Sequence, residues 1–437
     1  MKKILKQFIP HKIFLKYHSV VAYLACLFYN FPSKEIVLIG ITGTKGKTTT
    51  ANFLWSILEG AGMKTGLIGT ANIRIGEEEY MNEYHMTMPK PWVIQKLLRK
   101  MVMNGCTHVV MEVTSEGLKL NRDIGLYFDV AIFTNLTPEH LPSHGGSFEK
   151  YKEVKAKLFA SLSKYSKKIL NGKEIKKVII TNADDEHYSY YHNFDADKKI
   201  TYGISNGEVQ AQNIYQDIRG VDVTVLNNRY HIPILGTFNV YNVLPGIALA
   251  NYLEIRNEKI QTGISSLTVI PGRMEIVRLN DPATIIVDYA HEKVSMNGLL
   301  DTAKSIKAPT QKIVVILGAE GGGRDKAKRE HMGRAAGLKA DYVVVTNVDP
   351  YEDEPGEIIE GVAKFAEIEG KIRGETLFTI ENRRKAIEKA IRIASVGDIV
   401  LVTGKGSEQS MIIGGKMIPW DDRKVIREIL ETKSYAI

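Results

Sequence analysis

Glu35–Thr42 reads EIVLIGIT and runs straight into Gly43-Thr44-Lys45-Gly46-Lys47-Thr48-Thr49-Thr50. The first stretch is almost wholly apolar and rich in β-branched residues, the pattern of a strand buried on both faces. Gly43–Gly46 interrupts it, and Lys47–Leu58 then reads as a helix. A glycine turn between a strand and a helix N-terminus lets backbone N–H groups surround a phosphate while Lys47 neutralises its charge. The hydroxyl of Thr48 or Thr49 then suits Mg²⁺. The strict phosphate-loop spacing fails here, because Ile41 stands at its first glycine position and Gly43 lies nearer the lysine. Gly43, Thr44, Lys45, Gly46, Lys47, Thr48 and Thr49 are read as the loop that binds a nucleoside triphosphate.

Working outward, His108–Val113, Val130–Leu136 and Val178–Asn182 read as further buried strands, and Pro91–Val102 and Phe148–Leu162 as helices. Alternating strands and helices imply a parallel, doubly wound sheet. Ile200–Ile234 shifts to short alternating segments with turn signals, read as a small antiparallel patch, before a helix at Val240–Leu253. After Pro271-Gly272 a second series begins, with strands at Thr284–Tyr289, Lys312–Gly318, Tyr342–Asn347 and Asp398–Gly404. The expected fold is α/β: a phosphate-loop central domain over 35–268, then a Rossmann-like α/β C-terminal domain over 269–437. Glu112 closes the strand HVVMEV. A carboxylate at that end faces the crevice where open α/β sheets bind ligands, and suits a hard cation such as Mg²⁺.

The 437 residues are 44% hydrophobic and 25% charged, which excludes disorder, collagen and coiled coil. Lys plus Arg number 58 against 50 Asp plus Glu, a net charge of +8. So mild an excess fits an enzyme of anionic phosphates and not a nucleic-acid binder. Two cysteines, Cys26 and Cys106, exclude a disulfide framework and point to a reducing, cytoplasmic setting. Residues 1–34 are basic, with an apolar run over Ser19–Phe31, shorter than the roughly 20 residues of a membrane span. Three readings stay open for this segment: a helix packed on the next domain, a membrane-surface helix with a basic edge, or a span or signal.

The loop TGTKGKTT resembles that of the Mur ligases, ATP-dependent amide-forming enzymes of peptidoglycan precursor synthesis, which share it with folylpolyglutamate and cyanophycin synthetases. Thr134-Asn135-Leu136-Thr137-Pro138-Glu139-His140-Leu141 … His144-Gly145 resembles a second family segment, with Glu139 for the usual Asp, and implies His140 as a Mg²⁺ ligand. Tyr151–Phe159 resembles the helix carrying a carbamylated lysine, at Lys155, which implies an anionic ligand for a second Mg²⁺. Gly236–Asn242 resembles the family's Gly-x-Phe-Asn-x-x-Asn and implies Asn242 near the adenine. Pro271-Gly272-Arg273-Met274-Glu275 implies Arg273 at the γ-phosphate, and Asp288-Tyr289-Ala290-His291 implies Asp288 at the ribose and His291 near the nucleotide. Gly321–Arg329, Gly404-Lys405-Gly406-Ser407-Glu408 and Trp420-Asp421-Asp422-Arg423 resemble three later motifs, with Ser407 in place of His.

Together these resemble the MurE-type branch, which adds the third stem-peptide amino acid to UDP-N-acetylmuramoyl-L-Ala-D-Glu. The resemblance implies an acyl-phosphate reaction using ATP, two Mg²⁺ ions and carbamylated Lys155, with Lys47, Lys155, His140 and Arg273 as catalytic residues. Thr48, Glu112, His140 and Lys155 are the implied metal ligands, and Thr87, Thr114, Ser115, Asp349, Pro350, Gly404 and Glu408 the implied substrate residues. Two departures stand out. Val348-Asp349-Pro350-Tyr351 replaces the branch's Asp-Asn-Pro-Arg, so the Arg that grips the distal carboxylate of diaminopimelate is missing. Glu352, Asp353 and Glu354 suit a distal ammonium, as in lysine, whereas Glu408 matches the diaminopimelate enzymes; both substrates stay open. Only about 35 residues precede the loop strand, so a truncated uridine-binding domain is expected, with residues 1–34 as a separate short segment. The implied partners are small molecules, the UDP-sugar peptide or a similar acceptor and an amino acid, acting on a monomer without nucleic acid. Another amide ligase, making poly-glutamate, cyanophycin or folylpolyglutamate, and a non-catalytic nucleotide-binding partner are the alternatives.

Overall fold

The computed structural model describes residues 11–84, 86–138, 141–279, 283–323 and 326–434. They form two compact units: one running to Ile214 with Asp222–Pro233 and Asn239–Leu267, the other Tyr215–Val221, Ile234–Phe238 and Thr268 onward.

In the first unit the strand Val37–Thr42 is central, because Leu38, Ile39 and Ile41 leave no surface in water on either face. It pairs in parallel with His108–Glu112 on one side and Val130–Phe133 on the other, placing Ile41 beside Glu112 and Thr42 beside Phe133. Thr65–Ile68 continues the parallel sheet beyond His108–Glu112, and Val178–Asn182 and Lys198–Gly203 continue it beyond Val130–Phe133. The helix Lys47–Gly60 follows the loop and packs on Asn239–Tyr252 and Asn257–Ser266. Gly60 and Gly263 let two of these helices touch backbone to backbone: a β-carbon on Gly263 would stand 2.5 Å from the Ile57 Cα. Ser56 Oγ donates across the same contact to Gly263 O at 2.7 Å.

One feature departs from expectation. Asn72–Ile75 and Glu78–Met81 add an antiparallel edge beside Thr65–Ile68. Their alternation is too short to stand out in the sequence. The short strands expected over 200–234, Val209–Asp217, Gly220–Val225 and Asn228–Ile232, extend the other edge of the same sheet.

The second unit carries its own sheet, in the order Glu275–Arg278, Thr284–Asp288, Ile399–Thr403, Ile313–Leu317, Tyr342–Val345, Leu377–Thr379. All pairings are parallel except the first, antiparallel one. The last strand, Ile399–Thr403, inserts between the second and third in chain order. The strand order therefore reverses there, and in open α/β sheets ligands bind beyond the carboxyl ends of the strands at such a point. A hairpin, Ser410–Ile413 with Lys416–Pro419, follows. The N-terminal segment forms the helix His11–Phe28, which packs on Pro91–Met103. No helix among the described residues is long and apolar enough to cross a membrane.

Candidate functional site

The phosphate loop is held by the segment after the strand Val130–Phe133. Thr44 N donates to Asn135 O at 2.8 Å, Lys45 N to Asn135 Oδ1 at 2.8 Å, and Thr134 Oγ1 to Lys45 O at 2.7 Å. Gly43 is required by this clasp, since a β-carbon there would fall 1.9 Å from Thr134 Oγ1. Gly46 adopts φ +81° at the helix N-cap, and a β-carbon on it would meet Asn242 Oδ1 at 2.3 Å. Asn242 Nδ2 in turn donates to Asn239 Oδ1 at 2.8 Å. Asn242 therefore lies against the loop backbone at Gly46.

Lys47 folds back from the helix so that Nζ donates to Gly43 O and Thr44 O, each at 2.9 Å. Lys155, buried on the helix Phe148–Lys164, reaches the same Gly43 carbonyl at 2.8 Å. Two ammonium groups from different elements therefore converge on one loop carbonyl and place positive charge beside the loop. Tyr151, one turn before Lys155, lies under its ammonium at 4.7 Å and shares a hydrogen bond with Thr44 Oγ1 at 3.2 Å.

Glu112 ends its strand fully buried, with its charge met by hydroxyls and an amide. Thr48 Oγ1 donates to Oε2 at 3.0 Å, Thr70 Oγ1 to Oε2 at 2.9 Å, and Thr70 N to Oε1 at 2.6 Å. Since the Thr70 hydroxyl spends its one proton on Glu112, the 2.9 Å contact with Thr87 is donated by Thr87. The loop threonine, the strand-end carboxylate and Thr87 form one chain of contacts. Thr48 and Glu112 supply hard oxygens beside a phosphate loop, the donor set that fits Mg²⁺, which keeps waters and takes phosphate oxygens. Thr49 is buried in the first turn of the helix, Ser115 is buried, and Thr114 Oγ1 caps its short helix by accepting from Gly117 N at 3.1 Å. His140 lies outside the described residues.

In the second unit the strand ends gather the other expected residues. Lys405, just past Ile399–Thr403, is 1% exposed and pairs with Asp349 at 2.8 Å and Glu408 at 2.5 Å. Burial works against its ammonium, but Glu408 and Asp349 outweigh it and hold its pKa above the ordinary lysine value. Asp349 is committed on both oxygens, the second accepting Ile412 N at 2.8 Å. Tyr289 OH donates to Glu408 Oε1 at 3.2 Å, and burial pushes that phenol well above its usual range. Pro350 is buried beside Asp349, and Gly404 lies against Val348. Glu408 remains one-third exposed, the partly open carboxylate of this cluster. Arg273 lies over the Tyr289 ring at 4.6 Å, and His291 Nδ1 donates to Tyr289 O at 2.7 Å. Asp288 accepts Met274 N and Ala290 N, each at 2.8 Å, so its carboxylate braces the Pro271–Glu275 turn.

Each unit therefore assembles its own half of the expected residues. Sequence reasoning passed over Thr70, Thr134, Asn135, Tyr151 and Lys405 as participants. Thr134, Asn135, Tyr151 and Lys405 sit inside the motif segments, but their partners lie up to about 110 positions away and only the fold supplies them.

Comparison with known proteins agrees with this layout. A family model described as the Mur ligase middle domain matches residues 41–250, and one described as Mur ligase, glutamate ligase domain, matches 272–406. A UDP-N-acetylmuramyl-tripeptide synthetase of Roseiflexus sp. is 35% identical over 95% of this chain and 82% of its own length. A UDP-N-acetylmuramoyl-L-alanyl-D-glutamate–2,6-diaminopimelate ligase of Bacillus licheniformis is 38% identical over 94% of this chain and 82% of its own. A solved ligase of that second name superposes with a TM-score of 0.62 at 26% identity, covering 92% of this chain and 79% of the other. The folylpolyglutamate synthase of Mycobacterium tuberculosis shares the fold, with a TM-score of 0.68 at 16% identity over 88% of this chain and 92% of the other. With both family models matched in order and relatives at this identity spanning over nine-tenths of its length, the chain belongs to the Mur ligase family, whose members are ATP-dependent, ADP-forming amide ligases.

Proposed function

We propose that this chain joins a diamino acid to the terminal carboxylate of UDP-N-acetylmuramoyl-L-Ala-D-Glu, the reaction after which several of its relatives are named. The observation that carries the reading is the convergence of Lys47 and Lys155 on the Gly43 carbonyl beside the Thr48–Glu112 pair. It supports a reading in which the triphosphate sits at this loop and negative charge develops beside the two ammonium groups.

In this reading the acceptor carboxylate attacks the γ-phosphorus of ATP, the bond to the β-phosphate oxygen breaks, and ADP leaves. The amine of the incoming amino acid then attacks the acyl phosphate carbon, phosphate departs, and the amine loses a proton. Lys47 turns from the loop carbonyls to the transferring phosphoryl group, and Arg273 is assigned to the same charge. Thr48, Glu112 and, beyond the described residues, His140 would hold Mg²⁺. Lys155 would become a ligand of a second ion once its neutral amine adds CO₂ and releases a proton to give a carbamate. Bound Mg²⁺ screens phosphate charge and polarises the phosphoryl oxygens. Glu408 receives the α-ammonium of the amino acid. Glu352 and Glu354, exposed beside Tyr351, offer countercharge to a second amino group, while Asp353 accepts Gly322 N at 3.1 Å.

The test is ATP-dependent phosphate release with UDP-N-acetylmuramoyl-L-Ala-D-Glu and a panel containing lysine, diaminopimelate, ornithine and glutamate. Release with a diamino acid and not with glutamate is expected. Release with no amino acid on this acceptor overturns the reading.

A further inference from the structure

The helix His11–Phe28 is apolar on both of its faces. Inward, Ala22, Ala25 and Cys26 are fully buried. Outward, eight positions from Ile13 to Phe28 are exposed, and seven of them are aliphatic or aromatic, with Lys16 the exception. Tyr17, Val20, Leu24 and Leu27 are 50–63% exposed, and Phe28, at 71%, lies against the exposed Trp92 at 5.4 Å. An apolar helix face of this size is covered by something in the working protein.

The helix is a fixture of the fold. Arg99 donates to the carbonyls of Tyr29 and Asn30 just past its C-terminus, at 2.9–3.0 Å, and pairs with Glu35 at 2.8 Å. Asn121 Nδ2 donates to Ser19 Oγ at 3.0 Å on the inner side. The outer face is therefore presented in one orientation.

Charge decides what covers it. Residues 1–34 contain six lysines, two histidines and no Asp or Glu. The spacing of Ile13, Tyr17, Val20, Leu24 and Leu27 also suits a second helix, but a second copy would bring another acid-free, lysine-bearing segment against the first. An anionic lipid surface supplies both an apolar layer for the face and countercharge for the lysines. Tyr and Trp are moreover the side chains that favour the headgroup boundary. We infer that this face docks the enzyme on an anionic membrane surface, with the helix lying along the interface.

The test is sedimentation of the full chain with vesicles of phosphatidylcholine alone or of phosphatidylcholine containing phosphatidylglycerol. Wild type is expected to pellet with the anionic vesicles, weakly with the neutral ones, and less as salt is raised. Val20→Glu/Leu24→Glu/Leu27→Glu changes exposed positions only and should lower partition at least tenfold, with an unfolding curve matching wild type. Lys3→Gln/Lys6→Gln/Lys16→Gln should lower it by roughly fivefold per lysine in contact with the surface. Failure of wild type to pellet with anionic vesicles, or undiminished pelleting of the triple Glu variant, overturns the inference. A concentration-dependent dimer that the triple Glu variant dissolves, without vesicle binding, assigns the face to a second copy and overturns it too.

Discussion

Arg383 grips Asp422 through two hydrogen bonds, Nε to Oδ1 at 2.7 Å and Nη2 to Oδ2 at 2.6 Å, and neither side chain is exposed. The remaining donors of the same guanidinium reach Thr403 O at 2.7 Å and Asn347 O at 3.1 Å. Those carbonyls lie two residues before Lys405 and Asp349, so one planar fork fixes the two strand ends that carry the charged cluster. Asp422→Asn leaves a buried guanidinium without its countercharge. It is expected to cost about 3–5 kcal/mol in urea unfolding and to raise KM for the amino acid. Arg383→Lys, which keeps the charge but loses the fork, should raise KM as well.

Asn242 Oδ1 occupies the space that a β-carbon on Gly46 would need. Gly46→Ala should therefore weaken ATP binding by more than tenfold, read by calorimetry. Adding Asn242→Gly removes the clash and should recover part of the loss. The left-handed backbone at φ +81° still costs roughly 1–2 kcal/mol for an alanine, so recovery stops short of wild type. Full recovery would show that Asn242 sterics alone set the requirement for glycine.

Lys155→Ala removes one of the two cations on Gly43 O together with the candidate carbamate. Turnover should fall by roughly 10²–10³-fold, the cost of one preorganised electrostatic group, and bicarbonate should not restore it. Isotopically labelled bicarbonate should give a carbamate carbon resonance in wild type that is missing in the variant. Full activity in Lys155→Ala would refute the assigned role.

The strand–loop–helix at Val37–Gly60 was legible because each step carries a local signal: β-branched residues, a glycine turn, then helix formers. The charged cluster of the second unit was half legible. Asp349, Lys405 and Glu408 all sit in motif segments, but no local signal tells that Lys405 joins the other two. Its 1% exposure follows from the order of strands, in which Ile399–Thr403 lies next to Ile313–Leu317 and not at an edge. The antiparallel strands Asn72–Ile75 and Glu78–Met81 were missed for a different reason. Four-residue strands joined at Gly76, with φ +62°, offer too short a period to separate from a loop. The N-terminal helix was legible as a helix. Its outward apolar face was not, because sequence alone does not say which side of an all-round apolar helix is packed.

A second buried cluster lies at the opposite end of the first unit's sheet from the loop. Asp129 is fully buried between Lys168 and Lys177, with Leu38 N donating to it at 2.9 Å. Burial, set against the attraction of Asp129, pulls the Lys168 ammonium down from 10.5 to about 8. Between those two values the unfolded chain holds the Lys168 proton and the folded chain has released it. Unfolding then takes up a proton, so stability from this group rises with pH across that window, by about 3 kcal/mol in all. Below pH 8 both states are protonated and the group contributes no slope. Urea unfolding of wild type and Lys168→Met across pH 7 to 10.5 reads the effect, since the variant loses the Lys168 titration together with its coupling to Asp129 and Lys177. The difference curve should be flat up to about pH 8 and then climb in favour of wild type. A difference that stays level through pH 10.5 would mean that Asp129 holds Lys168 charged throughout.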